Sequence, residues 1–168
     1  PIDLSDYEYD VYFTFRSGSW GQATWKDSWA KFEQDPSLFD RIRTDPEFER
    51  TVEKAGKDLK PMLRRELDGD AASVGVWLSL TLVRHRGISV NPVESRVKNI
   101  GIDGTGVHSG TSTWYDVDID RDADSRTVSF PPDVAVDETI NSRYNEFMQR
   151  GLRGKLKRWI EERLLRKV

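Results

Sequence analysis

The sequence predicts a helix-rich α+β fold, and three observations support this prediction. The chain has 168 residues, the size of one ordinary domain. Hydrophobic residues make up 36% of it, with six Trp, seven Phe and five Tyr, which is enough for a core and excludes global disorder. Apolar residues recur at helical spacing in most segments, whereas only short stretches are rich in β-branched and aromatic residues.

The N-terminal elements follow from local composition. Residues 11–15 (VYFTF) predict a strand. A helix with an aromatic face is predicted over 21–33, because aromatic residues recur there near helical spacing. Two Asp-Pro pairs open helices over 36–43 and 46–55, since Asp caps a helix and Pro suits its first position. A further helix is predicted over 57–67, where it ends at an Asp-Gly-Asp turn.

The second half of the chain alternates helices with strands and loops. A buried helix is predicted over 73–86, closed by a glycine, and a short strand follows over 88–90. Residues 101–113 contain four Gly with several Ser and Thr and predict a loop. Residues 128–130 predict an edge strand before two prolines. Asp-Glu then opens a helix over 137–149.

Composition limits the classes of protein to which this chain can belong. No apolar run reaches the 18 residues that a membrane-spanning helix needs, and the acidic N-terminus does not have the pattern of a signal peptide. The absence of Cys excludes disulfides and thiolate metal sites and fits a reducing compartment, so we expect a cytoplasmic location. The chain begins with Pro, which is consistent either with removal of an initiator Met or with an excerpt of a longer protein.

The C-terminal segment, residues 150–168, predicts a basic amphipathic helix. It carries eight basic and two acidic side chains in a chain whose net charge is −3. Five apolar residues share one helical face, namely Leu152, Leu156, Trp159, Ile160 and Leu164. This pattern is typical of a helix on anionic lipid, with Lys155, Arg158 and Trp159 as the membrane-surface contacts, at the inner face of the membrane. The alternative is packing against its own domain; nucleic acid is the least favoured partner because the rest of the chain is acidic.

Three segments carry a resemblance to one family. They are Ser19 to Asp27 (SWGQATWKD), Pro92 to Gly101 (PVESRVKNIG) and Asp103 to His108 (DGTGVH). In this order they resemble motifs of family-2-type GT-A glycosyltransferases of the kind found in surface-polysaccharide gene clusters. A weaker likeness runs from Phe130 to Glu138, and the whole resemblance spans about residues 10–148.

The resemblance implies the acceptor-side half of a GT-A-like α/β fold over 1–149, followed by the basic helix over 150–168. In such enzymes a preceding N-terminal half binds the nucleotide-sugar and holds a divalent metal, Mg or Mn, through a D-x-D motif. The implied activity is transfer of a sugar from a nucleotide-sugar to a saccharide or lipid-linked acceptor, with no activity expected without that half. The D-x-D letters at 118–120 and 122–124 follow the acceptor-side motifs, and we interpret them as a solvated acidic loop.

Five residues are implied to bind the sugar substrate, namely Trp20, Thr24, Trp25, Gly104 and Gly106. Aromatic faces stack on pyranose rings, although Trp at helical spacing is also typical of a core. The two glycines are expected to supply positive φ angles in the loop.

Metal and acid–base roles are implied for three further residues. His108 is the candidate metal ligand. Asp103 either caps its loop or binds an acceptor hydroxyl. A carboxylate is needed to take the proton of that hydroxyl, yet Ala72 stands where the family has an acidic residue. Asp70 is the nearest substitute. Three alternatives follow: the base lies elsewhere, the alignment is displaced by a couple of residues, or the chain is not a competent catalyst. The functions that rival the enzyme are a non-catalytic glycan-binding or assembly module and a membrane-surface adaptor that uses the basic C-terminal helix.

Overall fold

Six helices and one two-stranded sheet make up the described part of the chain. The structure is a computed structural model that describes residues 2–70, 73–101, 117, 119 and 127–148. In chain order the elements are β1 Val11–Thr14, α1 Lys26–Trp29, α2 Ser37–Thr44, α3 Pro46–Ala55, α4 Leu59–Leu67, α5 Val74–Arg84, β2 Ser89–Pro92 and α6 over 138–148. The fold is therefore α+β and helix-rich, as predicted. None of the described helices is long and apolar enough to cross a membrane.

The core lies among helices α2 to α5. Helices α2, α3 and α4 each turn one apolar stripe inward, whereas seven of the eleven residues of α5 are buried. The cluster that they form consists of Leu38, Ile42, Phe48, Val52, Ala55, Leu59, Leu63, Val76, Trp77, Leu80 and Val83. Because α5 is covered along most of its length, it serves as the rigid support for the surface described below.

The sheet brings together two segments that are distant in sequence. Strand β1 pairs with β2 in antiparallel fashion, with Val11 opposite Pro92 and Thr14 opposite Ser89. The side-chain amide of Asn91 donates a hydrogen bond to the Thr14 hydroxyl at 3.0 Å. All four residues of β1 are buried, so the strand belongs to the interior and not to an exposed hairpin.

Helix α6 is hydrogen-bonded both to the end of α3 and to the residue that follows strand β1. The side-chain amides of Asn141 and Asn145 both donate to the carbonyl oxygen of Lys54, at 2.9 and 2.8 Å. This carbonyl is one of those that the C-terminus of a helix leaves without a partner of its own. The backbone N–H of Phe15 also donates to the Asn141 amide oxygen, at 3.4 Å.

Two sequence-based predictions are wrong. Of the helix predicted over 21–33, only Lys26–Trp29 is helical, because Gly21 has φ +63° and Trp25 is extended at φ −74°, ψ 150°. Residues 128–130 form no strand; Ser129 makes only two hydrogen bonds with Asp10, one through the Asp10 carboxylate.

The remaining helices and both paired strands are confirmed with shifts of one or two residues at their ends. The predicted helix over 137–149 is present over 138–148. The loop predicted over 101–113 and the terminal helix lie outside the described residues, apart from Gly101.

Candidate functional site

A cleft of about 540 Å³ opens beside α5 and β2, and we call it the aromatic cleft. One wall comes from the segment 17–32, which contributes Trp20, Trp25, Trp29 and Phe32. The floor comes from Leu78, Thr81 and Leu82 of α5 and from the residues of β2.

Three tryptophans of this wall remain exposed. The exposed fractions are 49% for Trp20, 75% for Trp25 and 50% for Trp29, whereas Trp77 in the core is 4% exposed. Trp29 stacks on Phe32 with ring centroids 4.9 Å apart and planes 4° from parallel. Leaving this much aromatic surface in water is unfavourable, so a concave surface of this kind is typical of a binding site.

The tryptophan wall is held by close contacts of small residues. Gly21 adopts a left-handed conformation, and a β-carbon there would stand 2.3 Å from a methyl group of Val97. A β-carbon on Gly75 in α5 would meet the Ser19 hydroxyl at 3.3 Å. The hydroxyl of Ser79 donates to the carbonyl of Ser17 at 3.4 Å. Glycine and serine thus allow the segment before α1 to lie close against α5.

Neutral polar groups accompany the aromatic rings. Asn91 is oriented by its bond to Thr14, and the Ser17 hydroxyl lies 3.5 Å from the amide oxygen of Gln22. The hydroxyls of Thr24 and Ser28 form no hydrogen bond with the residues that the structure describes, and both are exposed at the cleft. Their donors and acceptors can therefore serve a ligand.

Trp20, Thr24 and Trp25, three of the predicted substrate-binding residues, all line the aromatic cleft. Asp70 does not join them: it is exposed just after α4, its backbone N–H donates to the carbonyl of Arg65, and it is not among the residues that line the cleft.

Seven predicted site residues lie outside the described part of the chain: Asp103, Gly104, Gly106, His108, Lys155, Arg158 and Trp159. Ala72 lies outside it as well. Within residues 2–70, 73–101 and 127–148, no group of three or more His, Cys, Asp or Glu side chains is arranged to hold a metal ion.

Sequence reasoning missed Trp29, Phe32 and Asn91 as cleft residues. The sequence predicts Trp29 and Phe32 on the aromatic face of a helix over 21–33, of which only Lys26–Trp29 forms. The available signal was Gly21, which breaks helical periodicity between Trp20 and the later aromatic residues. Asn91 carried no local signal, because its place at the cleft follows from strand pairing.

Comparison with known proteins gives no relative: no family model, curated protein or solved structure matches this chain.

Proposed function

We propose that the chain binds a saccharide in the aromatic cleft, as the acceptor-side portion of a glycosyltransferase. The single observation that carries the proposal is the convergence of Trp20, Trp25 and Trp29, all at least 49% exposed, on one concave surface. The volume of about 540 Å³ is in the range of sites for small ligands.

The chemistry of the cleft suits a sugar ring. A pyranose has C–H faces that stack on aromatic side chains, and hydroxyl groups at its edge that both donate and accept hydrogen bonds. The indole wall supplies the apolar partner. The side chains of Gln22, Thr24, Ser28 and Asn91 supply neutral donors and acceptors around it.

The role in glycosyl transfer rests on the sequence resemblance, and one contact supports it. Gly21 belongs to the first family-like segment and Val97 to the second, and the two pack against each other. Pro92, which opens the second segment, also lines the cleft. In this proposal a separate N-terminal half completes a GT-A-like fold, binds the nucleotide-sugar and holds Mg or Mn.

A second candidate function is non-catalytic glycan binding. Among the described residues that line the cleft there is no carboxylate to take a proton from an acceptor hydroxyl. The sequence also has Ala72 at the position of the family's acidic residue. Sugar transfer from nucleotide-sugars, assayed on the protein isolated as it occurs in the cell, distinguishes the two: turnover supports the enzyme, and binding without turnover supports the module.

The saccharide site itself is tested by ligand-observed NMR with neutral methyl glycosides and disaccharides. We expect Trp25→Ala and Trp20→Ala to weaken binding about tenfold each, which corresponds to about 1.4 kcal/mol. Phe130→Ala is the matched control, because Phe130 is 57% exposed but does not line the cleft. Binding that survives both tryptophan substitutions, or that Phe130→Ala reduces equally, contradicts the proposal.

Residues 150–168 extend the proposal to a lipid-linked acceptor at the inner face of the membrane. Their basic and apolar faces would bind anionic lipid, which would place the cytoplasmic chain beside its acceptor. Co-sedimentation with phosphatidylserine-containing vesicles, with and without residues 150–168, tests this. Equal sedimentation of both forms removes the membrane contact.

A further inference from the structure

The aromatic cleft differs from the rest of the molecule in its charge. None of its 21 described lining residues is Asp, Glu, Lys, Arg or His, although Asp, Glu, Lys and Arg make up 33% of the chain. Lys26 and Asp27 lie on α1 between the lining residues Trp25 and Ser28, yet neither lines the cleft. Charged side chains are therefore absent from the described lining even where charged residues are adjacent to lining residues in the sequence.

A second cavity shows that this is not a general property of concave surfaces here. It has a volume of about 390 Å³ and lies against the N-terminal residues and the end of β2. Glu8, Asp10, Glu94 and Arg96 are among its lining residues. Charged side chains thus line one cavity and are absent from the described lining of the other.

An uncharged cleft discriminates between sugars by the cost of desolvation. A carboxylate, sulfate or phosphate loses hydration when it enters, and none of the described lining residues is a cation that could replace the lost water. Sites that recognise such anions normally present Arg or Lys. A neutral hydroxyl meets no such penalty, because amide and hydroxyl side chains can satisfy its hydrogen bonds.

We infer that the aromatic cleft selects neutral saccharides and rejects uronic acids and other anionic sugars. This inference rests on the proposed function and adds the chemical class of the ligand. The exposed indole faces bind the ring, and the absence of charged side chains among the described lining residues restricts which ring substituents are accepted.

The experiment compares three ligands on each ring: the neutral methyl glycoside, its uronic acid, and the methyl ester of that uronic acid. The gluco, galacto and manno series are titrated into the full chain at pH 7 by ligand-observed NMR. We expect the uronic acid to bind at least tenfold more weakly than its neutral counterpart. The methyl ester is expected to restore binding, because it keeps the carbonyl but removes the charge.

A variant tests the electrostatic cause directly. Ser28 is exposed at the cleft, so Ser28→Arg places a cation there without altering the core. We expect it to improve binding of the uronic acid relative to the neutral glycoside. Thr51→Arg adds the same charge on the exposed face of α3, outside the cleft, and is expected to leave the ratio unchanged.

The outcomes separate the inference from the proposed function. If uronic acids bind as tightly as neutral glycosides, or if Ser28→Arg and Thr51→Arg act alike, selection by charge is wrong while saccharide binding stands. If no member of any series binds, the proposed function fails and the inference fails with it.

Discussion

The side chain of Val97 packs directly against the bare α-carbon of Gly21. A β-carbon at Gly21 would lie 2.3 Å from one Val97 methyl carbon and 3.3 Å from its β-carbon. Gly21 also has φ +63°, a conformation that side chains disfavour. This contact joins the segment that carries the tryptophan wall to the chain beyond β2.

Gly21→Ala should therefore be more harmful than backbone strain alone explains. We expect a loss of about 2–4 kcal/mol in the free energy of unfolding, from the left-handed conformation together with overpacking. Gly69→Ala is the matched control, because Gly69 has φ +78° but no atom within 4 Å of its added β-carbon. Chemical denaturation of both variants measures the difference; equal losses would show that Val97 does not restrain Gly21.

The buried ion pair between Arg16 and Asp58 should show strong coupling. The guanidinium and carboxylate lie 2.5 Å apart, and their side chains are 5% and 3% exposed. We expect Arg16→Met or Asp58→Leu to cost about 3–5 kcal/mol each, since either change leaves an unpaired buried charge, while the double variant recovers most of the loss. Lys54 and Glu138 provide the exposed comparison, expected to contribute less than about 1 kcal/mol. Additive single losses in a denaturation cycle would contradict this.

Glu66 links α4 to α5 by accepting two hydrogen bonds. Its carboxylate accepts from the indole N–H of Trp77 at 3.0 Å and from the backbone N–H of Ser73 at 2.7 Å. Glu66→Gln replaces one acceptor with a donor that faces a donor, so we expect a loss of about 1–3 kcal/mol and altered Trp77 fluorescence. Glu53→Gln, at an exposed site on α3, controls for the loss of charge. Equal stability of the two variants would show that the bridge contributes nothing.

The start of α3 should lose stability in acid. Asp45 accepts hydrogen bonds from the backbone N–H groups of Phe48 and Glu47, and these bonds, together with Arg41, lower the pKa of its carboxyl below the ordinary value of 3.8. Because the pKa of the Asp45 carboxyl is lower in the folded chain, its contribution to the free energy of unfolding is fully present above pH 3.8. That contribution is lost as the pH falls through the lowered pKa of the folded chain.

Thermal unfolding of the native chain and of Asp45→Asn should therefore differ most near neutral pH and converge as the pH falls below the lowered pKa of the Asp45 carboxyl in the folded chain. Asn can still cap the helix but does not titrate, so its own cap is independent of pH. Asp27→Asn, measured in parallel, accounts for removal of an exposed charge. A difference that stays constant across this range would rule out the carboxylate of Asp45 as the cause.

Local sequence determined the helices of the core. The Asp45-Pro46 pair by itself specifies where α3 begins. The apolar periodicity of α2 to α5 predicts these helices even when the partner that each apolar stripe contacts is unknown. A short motif also predicts Trp20, Thr24 and Trp25 as saccharide-binding residues; all three line one cleft, and their role in binding stays a prediction.

Tertiary structure decided where that motif lies and what surrounds it. Gly21 lies close against Val97, 76 residues later in the sequence, and Asn91 donates a hydrogen bond to Thr14 across 77 residues. No window of neighbouring residues contains such contacts, so the segment 21–33 looked helical although only Lys26–Trp29 forms a helix. That the described lining residues are all uncharged is also apparent only in three dimensions, because Lys26 and Asp27 lie between cleft residues in the sequence but outside the cleft in space.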